Sequence, residues 1–141
     1  MEDDLFPDRC ARGIEDEAWV HERPPYLSAF LFDDDVRDDG YRELSVTWMR
    51  HSDSLDVLRK MRRQGQTMFP AGIGVLMRSD IDRLMKHYGS DKLTYESRPT
   101  KRNEDHGNIL IGNCSLVEER MIASDLSRKA MFYPLDAEIP C

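Results

Sequence analysis

"AGIGVLMRSDIDRLMKHYG", residues 71–89, changes its apolar period partway along, and that change decides the fold class. Ala71 to Met77 is short and continuously apolar, as a strand covered on both faces would be. From Ser79, a residue suited to capping a helix, Ile81, Leu84, Met85 and Tyr88 recur at i, i+3, i+4 and i+7. Gly89 then closes the turn. A strand in the middle of a sheet that runs into an amphipathic helix predicts an α+β domain.

Working toward the C-terminus, "KLTYES" (92–97) and "GNILIGN" (107–113) read as strands joined by a loop too long for a tight hairpin. Ser115 and Glu118 stand at capping-box spacing and open a helix with Ile122, Ala123, Leu126, Ala130 and Tyr133 on one face. Toward the N-terminus, Ser52 caps a predicted helix that runs to about Arg63, with Leu55, Leu58 and Met61 along one side and Gly65 beyond its end. Leu44, Val46 and Trp48 alternate with Ser45 and Thr47, the period of two of a sheet with one wet face. "YLSAFLF", Tyr26 to Phe32, follows Pro24 and Pro25 and reads as its antiparallel hairpin partner. The expected order is β-β-α-β-α-β-β-α, a mixed sheet with a C-terminal helix docked on it, in one domain over 1–141. Segments 1–13 and 134–141 are expected at its periphery.

A chain of 141 residues with 40% hydrophobic and 33% charged side chains can bury a core without staples. Its net charge of −7 and pI near 5.1 oppose nonspecific binding to a phosphate backbone. Cys10, Cys114 and Cys141 are odd in number and far apart, with no zinc-ligand spacing, so free thiols in a reducing cytoplasm are expected. No stretch approaches the ~20 apolar residues that span a bilayer, and the acidic start does not resemble a signal peptide.

Several chemical signatures fail when tested. The acidic loop "DDDVRDDGYRE" places Arg37 and Val46 where an EF-hand needs carboxylates, so a solvated loop is expected. "YESRP" offers Glu96 and then Arg98 where a metal-dependent nuclease would carry a lysine. No phosphate loop, dinucleotide turn, nucleophile elbow or zinc-protease helix occurs. The histidines form no i, i+4 pair, and no cofactor is expected.

Two cationic features are left. Arg59 to Arg63, "RKMRR", is the densest positive cluster and could meet phosphates, although basic residues in a last helical turn also complement its negative end. His106 immediately precedes a strand, so the strand would fix it while the loop leaves it accessible. Asp105 or Glu104 could raise its pKa, and Arg98, Lys101 and Arg102 could hold an anion beside it. Arg23 and Ser28 are further residues whose arrival near His106 would support catalysis.

The segments "YLSAF", "ELSVTW", "HSDSLDVL", "AGIGVL" and "EDHGNIL", spread over Ala18 to Tyr133, resemble a pattern in a group of small uncharacterised bacterial proteins. That group carries Pro-Ala-His-Ala where this chain has Glu104, Asp105, His106 and Gly107, so the histidine and the small residue after it carry over. The resemblance implies a bacterial cytoplasmic domain with His106 as its recurrent polar position, and names no reaction. The leading expectation is a noncatalytic binding or regulatory module whose partner is another protein. The alternative is a small enzyme acting on RNA or a nucleotide, with His106 as acid or base. A third is nucleic-acid binding through Arg59 to Arg63.

Overall fold

The computed structural model describes residues 6–140. Cys141 and the first five residues of the acidic start lie outside them. In chain order the elements are β1 (Arg9–Ile14), β2 (Arg42–Trp48), α1 (Asp56–Lys60), β3 (Arg62–Arg63), β4 (Gln66–Thr67), β5 (Gly72–Met77), α2 (Arg78–Tyr88), β6 (Leu93–Ser97), β7 (His106–Ile111), α3 (Leu116–Lys129) and β8 (Met131–Tyr133). Six strands form one sheet in the order β6-β7-β2-β1-β5-β8, and β3–β4 is a separate hairpin. The domain is α+β with its C-terminal helix on the sheet, as expected. The sheet is antiparallel at every described pairing rather than mixed.

The largest correction lies at the N-terminus. Residues 9–13, expected at the periphery, belong to β1, which sits inside the sheet between β2 and β5. Tyr26–Phe32 does not pair with β2. Tyr26 takes a left-handed conformation (φ 62°) and starts a 3₁₀ turn over Leu27–Phe30. Its apolar side chains are nonetheless buried, because Phe30 and Phe32 enter the core from this turn and the coil after it.

The helix predicted from Ser52 shortens to α1. Met61 is already extended, and Gln64 (φ 53°) and Gly65 (φ 78°) make a two-residue turn with both φ positive, the geometry that closes a tight hairpin. Gly65 therefore turns β3 into β4 instead of ending a helix. At the other end, α3 has the predicted capping box, with Ser115 Oγ accepting from Glu118 N at 3.1 Å. It stops at Lys129, and Tyr133 leaves the helix face to join edge strand β8 on β5. No helix among the described residues is long and apolar enough to cross a membrane.

The two faces of the sheet are covered differently. On one, α2, α3 and the 3₁₀ turn bury Cys10, Ile14, Leu44, Trp48 and Leu76 against Phe30, Ile81, Ile122 and Leu126. Trp48 is fully buried and donates from Nε1 to Glu96 O at 3.1 Å. On the other face, Ala11, Ile73 and Val75 pack under Leu55, Leu58 and Phe69. The 134–140 tail runs over this second cluster, where Leu135 and Ile139 touch it and Arg59 donates to the carbonyls of Leu135 and Ala137 at 2.8 and 2.9 Å.

Candidate functional site

A gap in the sheet creates the site. β1 pairs with β5 at six positions and β2 pairs with β7 at six, but β1 and β2 pair only at Cys10↔Trp48 and Ala11↔Thr47. Past Ala11 the two strands part, and the Arg12 side chain, between Cys10 and Ile14, projects toward the face that carries the 3₁₀ turn. Its Nε donates to Ala29 O at 2.9 Å and its Nη1 to Ser45 O at 3.1 Å. Counted over the whole residue Arg12 is half-buried, while its guanidinium lies deeper. Burial lowers its pKa from the ordinary arginine value, opposed by the more distant charges of Glu15 and Asp33. It makes no ion pair among the described residues. The two carbonyls accept hydrogens from the guanidinium without neutralising its charge.

Over this gap, on the face away from α2 and α3, lies a cleft of about 930 Å³. Ala11, Gly13, Ser45 and Thr47 form its floor, and Arg12 is among its lining residues. Val57, Leu58, Met61, Met68 and Phe69 make an apolar wall on the β5 side. Gly13 lets that wall approach, since a Cβ there would stand 2.4 Å from the Phe69 ring. Thr100, Asn103 and His106 make a polar wall on the β7 side, and Lys60, Arg62, Arg63 and Arg102 add four cations.

The polar wall is held from within. His106 sits opposite Thr47 in the β2–β7 ladder, and its Nδ1 lies 2.9 Å from Arg98 O. A carbonyl oxygen only accepts, so Nδ1 carries a hydrogen and Nε2 is left for other chemistry. Asn103 donates from Nδ2 to Thr47 Oγ1 at 3.0 Å and accepts from Asp105 N at 3.0 Å. Asp105 is buried, and its carboxylate accepts from Ser54 Oγ at 2.8 Å and from Arg50 at 3.3 Å. That carboxylate ties the 98–105 loop to the turn before α1. Donor atoms of His51, Glu104 and Asp105 lie within 4.8 Å of one another, but a cation there would compete with Arg50 for Asp105.

His106 and Arg102 line the cleft; Arg98, Lys101, Arg23 and Ser28 do not. Arg98 meets the histidine through its backbone alone, donating from N to His106 O at 2.8 Å and setting its carbonyl oxygen beside Nδ1, and its guanidinium points to Glu96 at 3.6 Å. Lys101 is exposed and absent from the cleft walls, where its neighbour Arg102 stands instead. Arg23 bonds the carbonyls of its own turn, His21 and Glu22, and Ser28 is bound to Glu22. The second cationic feature does converge on His106. Lys60, Arg62 and Arg63 of the 59–63 cluster line the same cleft, while Arg59 is spent on the tail.

From the acidic loop, Asp39 and Glu43 meet Arg37 at 2.7 and 3.2 Å, and Glu96 of β6 joins them at 2.8 Å. Those carboxylates are thus matched to an arginine rather than gathered for a metal. Arg12 was missed in the sequence; the available signal was an arginine set between Cys10-Ala11 and Gly13-Ile14 in "RCARGI". No protein family, curated protein or solved structure matches this chain.

Proposed function

We propose that the protein is a noncatalytic binding module whose cleft holds a small anionic ligand. The observation that carries this is a cleft lined by Lys60, Arg62, Arg63 and Arg102 against the single carboxylate of Glu15. Like charges gathered around one concavity repel one another, a cost that an incoming anion would offset. Lys60, Arg62 and Arg102 make no ion pair among the described residues. The net charge of −7 acts at longer range against a polyanion, which favours a compact ligand over RNA or DNA. A concave site of this volume also suits a small molecule better than the surface of a protein partner. We place the module in a bacterial cytoplasm, where Cys10 and Cys114 would remain thiols.

The test is calorimetric titration of the full chain with pyrophosphate and with citrate at low ionic strength. At least one should bind, and Arg102→Ala should weaken that binding without changing the circular dichroism spectrum. Absence of heat with both anions, confirmed by equilibrium dialysis, would remove the proposal.

One observation favours an enzymatic role for the same cleft. His106 has its tautomer set by Arg98 O, which leaves Nε2 able to accept or deliver a proton. Turnover of a phosphodiester by the wild type and its loss in His106→Gln would establish that role.

A further inference from the structure

We infer that the anion taken by the cleft is a nucleoside phosphate, an assignment that rests on the cleft being an anion site. Three chemistries line one space, and this ligand class carries a counterpart for each. Lys60, Arg62 and Arg102 supply three positive charges without ion-pair partners among the described residues, whereas Arg63 is 3.4 Å from Glu15. That is more charge than a single carboxylate answers. A phosphate monoester carries roughly −1.5 to −2 near neutral pH and offers oxygens that match the forked donors of arginine.

The apolar wall needs an apolar occupant. Met61, Met68 and Val57 would be left facing water by inorganic phosphate or citrate, while the thioethers of the two methionines suit contact with an aromatic ring. The wall across from them carries hydroxyl, amide and imidazole groups at Thr100, Asn103 and His106, which suit the hydroxyls of a sugar. A fatty acid would satisfy the first wall and leave the second without partners. A volume of about 930 Å³ lies at the upper end of the range for small-molecule sites, large enough for base, ribose and phosphate together.

The experiment titrates the full chain with the four ribonucleoside 5′-monophosphates, their parent nucleosides, pyrophosphate and citrate. At least one monophosphate should bind about tenfold or more tightly than both pyrophosphate and its own nucleoside. Met61→Ser, at a partly exposed position, should reduce that affinity roughly threefold to tenfold and leave pyrophosphate unchanged. Arg102→Ala should weaken both ligands. If pyrophosphate or citrate binds and no monophosphate surpasses pyrophosphate, the nucleoside phosphate is the wrong class and the anion site stands. A nucleoside that binds as tightly as its monophosphate also overturns the inference. If no anion binds, the anion site and the nucleoside phosphate fall together.

Discussion

The two faces of the sheet share the same six strands and differ in the length of what covers them. α2 and α3, of 11 and 14 residues, close one face completely and leave Trp48, Leu76 and Ile109 without exposed surface. The other face has a helix of five residues, a hairpin of two-residue strands and a tail, which together cover β5 and half of β1. The uncovered half is where β1 and β2 part. Charge does not follow the faces, because Glu43 and Glu96 beside Arg37 project on the cleft side of the sheet. Arg42 makes a two-pronged contact with Glu119 of α3 at 2.8 and 2.9 Å, and Arg37 is surrounded by acids, while the cleft keeps cations without such partners. A chain that is acidic on average thus carries a local surplus of positive charge at this cleft.

If the helix-covered face carries the stability, Trp48→Ala should be the most damaging substitution, costing about 3–5 kcal/mol in urea unfolding through the cavity it leaves. A loss below about 1 kcal/mol would break the contrast between the faces. On the cleft side, Gly13→Ala should cost about 1–3 kcal/mol, because the new methyl group meets the Phe69 ring and must displace it. The same substitution should also alter the shape of the cleft, which ligand titration would reveal.

The arginine-rich end of the sheet gives a prediction in pH. Burial alone would raise the Glu96 pKa, but hydrogen bonds from Arg37 and Asn108 and the nearby charges outweigh it, so the folded value lies below the ordinary one. The ionised Glu96 therefore adds stability above the unfolded-state pKa of about 4.3, and the contribution disappears as pH falls through the lower folded value. Glu96→Gln should be less stable than wild type at neutral pH, with the gap narrowing below about pH 4. A gap that stayed constant through acid titration would show that Glu96 acts only through packing. The smallest effect is expected at the cleft margin, where Arg102→Ala should stay within about 0.5 kcal/mol of wild type in thermal unfolding. A larger loss would make Arg102 a part of the scaffold.

The elements that sequence patterns located were those whose own side chains carry the signal. α2 has its apolar stripe, α3 its capping box, and β7 a run of apolar residues with one partner strand on each side. β1 has no such signature: "RCARGI" holds two arginines, an alanine and a glycine, and its burial comes from strands far away in the chain. The run from Tyr26 to Phe32 has the composition of a strand, yet the left-handed Tyr26 diverts it into a 3₁₀ turn and α3 receives its aromatic side chains. The site was legible in halves. His106 stood out by its place before a strand and the 59–63 cluster by its density, but their meeting depends on the β3–β4 hairpin turning back over the sheet. Arg12 could be recognised only once the gap beside it was known.

The position of β1 has a consequence for a chain leaving the ribosome. Arg9 must wait for Met77 and Ile14 for Gly72 before this strand has a neighbour along that edge. A nascent chain that has not yet reached Gly72 can offer β1 only its two-position pairing with β2, and the sequence between them forms a long loop to be closed. Synthesis and folding are therefore out of step here: a strand near the start of the sequence is stitched into the interior late, and until then its backbone is open to mispairing.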